Sequence, residues 1–298
     1  MRKAAFFLVD VFSDRPLEGN PLAVVPDADQ IDEGTMRRIA REFNQAETTF
    51  LLSPAETDAD WLLRSFTPAG QEVFGAGHNA LGAWWWLASS GRLSVSRDSQ
   101  QFHQQIGDGV LPVTVFWKDG EVASIEMRQS APVFGKTVGD SAALADALGL
   151  TPADMVLDGL EAQVVSTGAA HLLVPIKDRS AIERAKPDTA KLLSVLRAAE
   201  GEGCYLFSLD VAQPGSTAHA RFFNPTVGIA EDAATGTAAG PLAALLVAKG
   251  IVPDGSIAAI EQGYAMDRPS LIRIGIHGSD VRISGRGFVT AEGFLRLA

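Results

Sequence analysis

The chain has 298 residues, 46% of them hydrophobic and 20% charged, with a formal net charge of −11. That length suits two folding domains, because single cores stop growing near 250–300 residues, and the acidity excludes the clustered Lys and Arg that nucleic acid or an anionic membrane demands. No run approaches the roughly 18 uninterrupted apolar residues of a membrane span, and a single cysteine, Cys204, forbids an internal disulfide, so a reducing cytoplasm is the expected compartment.

In chain order, AAFFLVDVF reads as a first strand, since Asp10 interrupts its apolar run and no small-residue cleavage site follows. Met36, Ile39, Ala40 and Phe43 keep the i, i+3, i+4, i+7 spacing of a helix with one buried face. TTFLL, VTVFW, VASIEM and HLLVPI are further strands, and LLSVLRAAE is a second surface helix. GHNALGAWWWLA (77–88) and GTAAGPLAALLVA (236–248) are apolar nearly all the way round, so protein must surround them. Trp84, Trp85 and Trp86 point about 100° apart on such a helix and read as core. Gly240-Pro241 marks either the start of the later helix or a kink in it.

The two apolar helices follow matching text. Arg-x-Phe-x-Pro occurs as RSFTP at 64–68 and as RFFNP at 221–225. Each is followed by a carboxylate and a small-residue run: Glu72 precedes Gly77-His78, and Asp232 precedes Gly236-Thr237. GNPLAVV and GAAHLLVPI form an earlier pair. Matches in the same order indicate duplication, and each half reads as a barrel-like sheet around its apolar helix, the helix starts facing one cleft.

A Gly-rich helix start can cradle phosphate, but the Lys-Ser or Lys-Thr of a nucleotide loop is missing. His78 has no second ligand at metal spacing, and neither Gly-x-Ser-x-Gly nor a strand-borne Gly-x-Gly-x-x-Gly occurs. Glu47, Glu72, His78, Glu231 and Asp232 remain. A carboxyl group in an apolar cleft favours its protonated form and can take and return a proton on carbon, while helix N–H groups stabilise a substrate carboxylate or enolate. That is proton shuttling without metal or cofactor. The residues equally admit Glu47 as an exposed strand position and Asp232 as a helix cap, and they give Glu231 no role.

DVFSDRPLEGNPLAVV, NQAETTFL, FTPAGQEVFGAGHNALG, STGAAHLLVPI, FNPTVGIAEDAATGTAAG and EQGYAMDRPS, spread over nearly the whole chain, resemble the PhzF family of phenazine-biosynthesis-like isomerases. The resemblance implies an α/β (α+β) fold of the diaminopimelate-epimerase type. It has two pseudo-symmetric domains, residues 1–118 with 280–298 returning to them and residues 119–279, assembled as a homodimer. It implies Glu47 as the general acid/base, Asp232 as an assisting carboxylate, and Gly77 with His78 as a substrate-contacting pair. Thr237, where the family usually has serine, would bind substrate with Gly236, and Asn20 would contribute. The expected activity is isomerisation of a small carboxylate-bearing metabolite, with a non-catalytic metabolite-binding protein or a lyase or dehydratase as alternatives. Ala233 stands where proline is common, loosening that turn, and the stretch from Pro68 to Glu72 is one residue longer than usual. Neither half-motif carries the cysteine of the related racemases, which excludes two-thiol racemisation.

Overall fold

A computed structural model describes residues 2–94, 97–157 and 159–297. The chain divides into two compact units, Met1–Arg128 with Ser284–Ala298, and Gln129–Ile283. The first unit runs β1 (Arg2–Val11), β2 (Asn20–Val25), α1 (Glu33–Phe43), β3 (Glu47–Leu52), β4 (Trp61–Phe66), β5 (Glu72–Val73), α2 (His78–Ser89), β6 (Ser99–Ile106), β7 (Gly109–Lys118) and β8 (Glu121–Gln129). The second continues with β9 (Val133–Thr137), α3 (Ser141–Leu148), β10 (Gln163–Ser166), β11 (Ala170–Pro175), α4 (Arg179–Arg184), α5 (Thr189–Ala199), β12 (Gly203–Ser208), β13 (Ala218–Asn224), β14 (Ile229–Asp232), α6 (Gly236–Ala248), β15 (Ile257–Gln262), β16 (Ser270–His277) and β17 (Asp280–Gly285). The last strand, β18 (Gly287–Leu297), belongs to the first unit. The first division falls at 128/129 rather than 118/119, because β8 stays paired to β7 through Met127. The second falls at 283/284 rather than 279/280.

Strand pairing makes the duplication explicit. In the first unit β1–β2 is antiparallel, β2–β3 parallel, β3–β4 and β4–β5 antiparallel, β4–β6 parallel and β6–β7 antiparallel. In the second, β10–β11, β11–β12, β12–β13, β13–β14, β13–β15 and β15–β16 repeat those senses in that order. An antiparallel strand flanks each set, β18 on β1 and β9 on β10.

The sheets enclose the apolar helices. Every residue of α2 from His78 to Ala88 is buried, and the helix packs on β1, β2, β3 and β18. Close approach requires Gly82, where a Cβ would stand 2.6 Å from Val11 and 2.7 Å from Leu22. Trp84 is core, as its sequence context implies, and donates its indole N–H to Gln104 Oε1 at 2.8 Å. The second enclosed helix, α6, packs on β10, β11 and β16. It starts at Gly236 and continues through Pro241; the N–H that proline lacks is the one that would reach the Thr237 carbonyl.

Surface helices behave as amphipathic spacing predicts. Asp32 caps α1 by accepting from Thr35 N, and Met36, Ile39 and Ala40 join Val25, Phe50 and Phe66 in one core cluster. Each large side chain so buried contributes about 1.5–3 kcal/mol. Leu192 and Leu196 of α5 pack likewise with Leu172, Cys204 and Leu206. Among the described residues no helix is long and apolar enough to cross a membrane.

Candidate functional site

In the first unit the parallel strands β2 and β3 start at the same end, with Asn20 and Glu47 as first residues and Leu22 opposite Glu47. Side chains two apart on a strand share a face, so Glu47 faces the same way as Thr49. Thr49 Oγ1 lies 2.9 Å from Ser65 Oγ and 3.5 Å from the Asn79 carbonyl. Asn79 donates to Ser65 Oγ at 3.1 Å and to the Gly75 carbonyl at 2.9 Å, and accepts from Gly77 N at 2.8 Å. This buried network ties the GAGHN turn to β3 and β4. It brings Glu47 and the start of α2, with Gly77 and His78, to one face and one end of the sheet.

Glu47 is half-buried, and its Oε2 is sealed from solvent, so the exposed-strand reading does not apply. His78 is buried, with Nε2 lacking a hydrogen-bond partner among the described residues. No side chain caps α2, which leaves its first N–H groups directed outward as the partial positive end of the helix. The long 68–72 stretch turns at Gly70, whose φ of +81° favours glycine, and Arg37 of α1 pins it by donating to the Gly70 carbonyl.

In the second unit the pairing corrects one correspondence. With Arg64 and Phe66 matched to Arg221 and Phe223, Ser65 opposite Val73 matches Phe222 opposite Asp232. Glu231, not Asp232, is therefore the counterpart of Glu72. Arg64 donates to both oxygens of Glu72 at 2.7 Å, and Arg221 donates to both oxygens of Glu231 at 2.7 and 2.8 Å. These forked ion pairs join the strand carrying Arg-x-Phe-x-Pro to the strand that leads into the helix. Glu231 thus has the same structural role as Glu72.

Asp232 ends β14 and accepts from the Thr235 hydroxyl at 2.5 Å. The residue preceding α6 is Thr235, whose own side chain does not cap the helix. The turn from Asp232 to Thr235 is held without a proline. Gln262 donates to the Asp232 carbonyl at 2.8 Å and accepts from Thr235 N at 3.1 Å. Tyr205 O–H donates to Gln262 Oε1 at 2.9 Å, and Ser270 Oγ donates to the Ala233 carbonyl at 3.1 Å. Gln262 and Ser270 belong to EQGYAMDRPS, whose function the sequence does not disclose. Gly236 is buried, its carbonyl accepting from Gln129 at 2.9 Å. Thr237, in the first turn of α6, lies 3.2 Å from the Nε2 of His171. Cys204 is in the core, where burial pushes its thiol up to about 12, so it is an inert apolar side chain. Among the described residues no group of three or more His, Cys, Asp or Glu is placed to hold a metal ion.

Two sets of strands with the same sequence of pairing senses, each packed around an enclosed helix, define the diaminopimelate-epimerase-like class of fold. A proline racemase structure from Agrobacterium radiobacter K84 shares that fold at a TM-score of 0.67 and 15% identity, covering 99% of this chain and 93% of its own. Within this class the chain belongs to the phenazine biosynthesis-like family, whose sequence model matches residues 9–293. The crystal structure of a Bacillus anthracis protein of the PhzF family superposes at a TM-score of 0.90, 28% identical over the full length of both chains. The trans-2,3-dihydro-3-hydroxyanthranilate isomerase of Pseudomonas aeruginosa is 33% identical over 293 residues, 97% of this chain and 98% of that protein. The chain is an isomerase of this family.

Proposed function

We propose that the protein isomerises a small carboxylate-bearing metabolite by acid/base proton transfer, without a cofactor, and that Glu47 is the group that moves the proton. The observation that carries this reading is the Thr49–Ser65–Asn79 network, which couples the strand bearing Glu47 to the uncapped start of α2. One oxygen of the carboxyl is sealed from water, and the helix N–H groups at the start of α2 are suited to a carboxylate or an enolate oxygen. His78, at the first position of α2, is the group we assign to substrate contact and proton relay. Asp232, with Gly236 and Thr237 at the start of α6, and Asn20 are the further residues we assign to the substrate. The compound for which the Pseudomonas aeruginosa relative is named is itself a ring carboxylate, which supports the substrate class.

The test is solvent deuterium incorporation, read by mass spectrometry, across a panel of cyclic and amino-acid-like carboxylates. Glu47→Gln keeps the fold and lowers exchange by roughly 10²–10⁴-fold, the range for a general acid/base. Full exchange activity in that variant overturns the assignment.

A further inference from the structure

The proton-transfer reading leaves His171 without a task. Its side chain is 3% exposed, its Nε2 lies 3.2 Å from Thr237 Oγ1, and its Nδ1 is buried with no hydrogen-bond partner among the described residues. Phe222 holds the ring edge-on, centroids 5.0 Å apart, and a Cβ at Gly203 would stand 2.5 Å from Phe222 and 3.2 Å from His171 Nδ1. The imidazole is therefore fixed in place. Burial pushes it down to about 4, so near neutrality it carries one proton on one of two nitrogens.

The unpartnered nitrogen decides which. A buried N–H without an acceptor is rarer and costlier than a buried lone pair without a donor. That puts the proton on Nε2, which donates to Thr237 Oγ1. The Thr237 hydroxyl then has its own proton to give outward, at the first turn of α6.

The repeat points to the same position. Leu22 faces Glu47 across β2–β3, and His171 faces Gly203 across β11–β12. Thr48 pairs with Phe66, and Cys204 with Phe223, so these two cross-strand pairs are equivalents. Each half carries one ionisable group at that pair, on opposite strands of it, and His171 reaches the start of α6. A carboxylate there suits moving a proton. A neutral imidazole bonded to a hydroxyl suits orienting a donor.

We propose that His171 is a positioning residue whose Nε2–H holds the Thr237 hydroxyl as a donor to the carboxylate of the substrate. This rests on the acid/base reading for its substrate class, but its tautomer is measured independently of turnover.

Nitrogen-15 spectra of the full-length protein labelled at histidine test it. In wild type His171 Nε2 should resonate as the protonated nitrogen and Nδ1 as the bare one. Thr237→Val should shift the Nε2 signal, and Thr237→Ser should restore it. Protonated Nδ1, or a His171 spectrum indifferent to Thr237→Val, overturns the proposal. Acetate, at ionic strength matched with chloride, is the anion probe: it should perturb the His171 resonances of wild type and of Thr237→Ser, with an affinity about 10-fold weaker in Thr237→Val for the lost charge-assisted bond. An equal response in wild type and Thr237→Val, including none, overturns the anion-directed part. Exchange activity surviving in Glu47→Gln would sink the acid/base reading and leave the tautomer result standing.

Discussion

The same architectural step, a strand pair delivering the chain into an enclosed helix, is built twice in this protein with different side chains. In the first unit Arg64 is shared between Glu72 and Glu33 of α1, at 2.7 and 2.8 Å, and Arg37 stacks over the Phe66 ring at 5.3 Å. In the second, Arg221 has Glu231 as its carboxylate and turns its remaining nitrogen to the carbonyls of Ile182 and Ala185. Both motif arginines lie over their phenylalanine, Arg64 over Phe66 at 5.2 Å and Arg221 over Phe223 at 4.9 Å, but beside Phe223 there is also a cavity of about 410 Å³, lined by Leu192 and Ile229. The difference teaches that the repeat conserves the delivery of a helix start to the sheet edge, while the means of bracing it, and the ionisable group beside it, are free to diverge.

The sharpest way to break the comparison is to remove the matched carboxylates. Glu231→Gln should cost about 3 kcal/mol, because it strands a mostly buried guanidinium, whereas Glu72→Gln should cost about 1 kcal/mol, because Arg64 retains Glu33 and is more exposed. Urea denaturation of both variants checks the ratio, and equal losses would show that Glu33 gives no backup.

Acid titrates the second cradle through His171. The unfolded ring takes up a proton below pH 6.5, while the native ring stays neutral down to about 4. Between those values the unfolded state binds more protons, so stability falls as pH drops, by about 2 kcal/mol from pH 7 to 5. His171→Gln should lose that part of the slope in denaturation curves across this range.

The smallest effect concerns Gly203, the counterpart of Glu47 in the repeat. Gly203→Ala drives a Cβ into the Phe222 ring, an overpacking expected to cost roughly 1 kcal/mol or somewhat more. A calorimetric shift of a few degrees would fit, and an unchanged midpoint would show that the ring yields freely.

Much of the fold was legible because its signals are local. The all-round apolar character of 77–88 and 236–248 announced enclosed helices, and the repeated Arg-x-Phe-x-Pro announced duplication. Glu231 was not legible, since adjacent carboxylates in EDAATG differ only in which one the strand register turns toward Arg221. The roles of Thr49, Ser65, Asn79 and Gln262 depend on partners up to 57 residues away, which spacing cannot reveal. His171 left a readable trace: an imidazole in GAAHLLVPI where GNPLAVV has leucine.

The pairing of β1 with β18 joins residue 2 to residue 297, so the first unit is discontinuous in the chain while the second, 129–283, is not. On a ribosome the later segment can complete its own sheet first, while β1 waits with a bare edge for the final strand to be made. Synthesis order thus runs against sequence order: the half bearing Glu47 begins first and finishes last, and a transcript cut short of residue 287 yields a finished second unit beside a first that lacks its final strand.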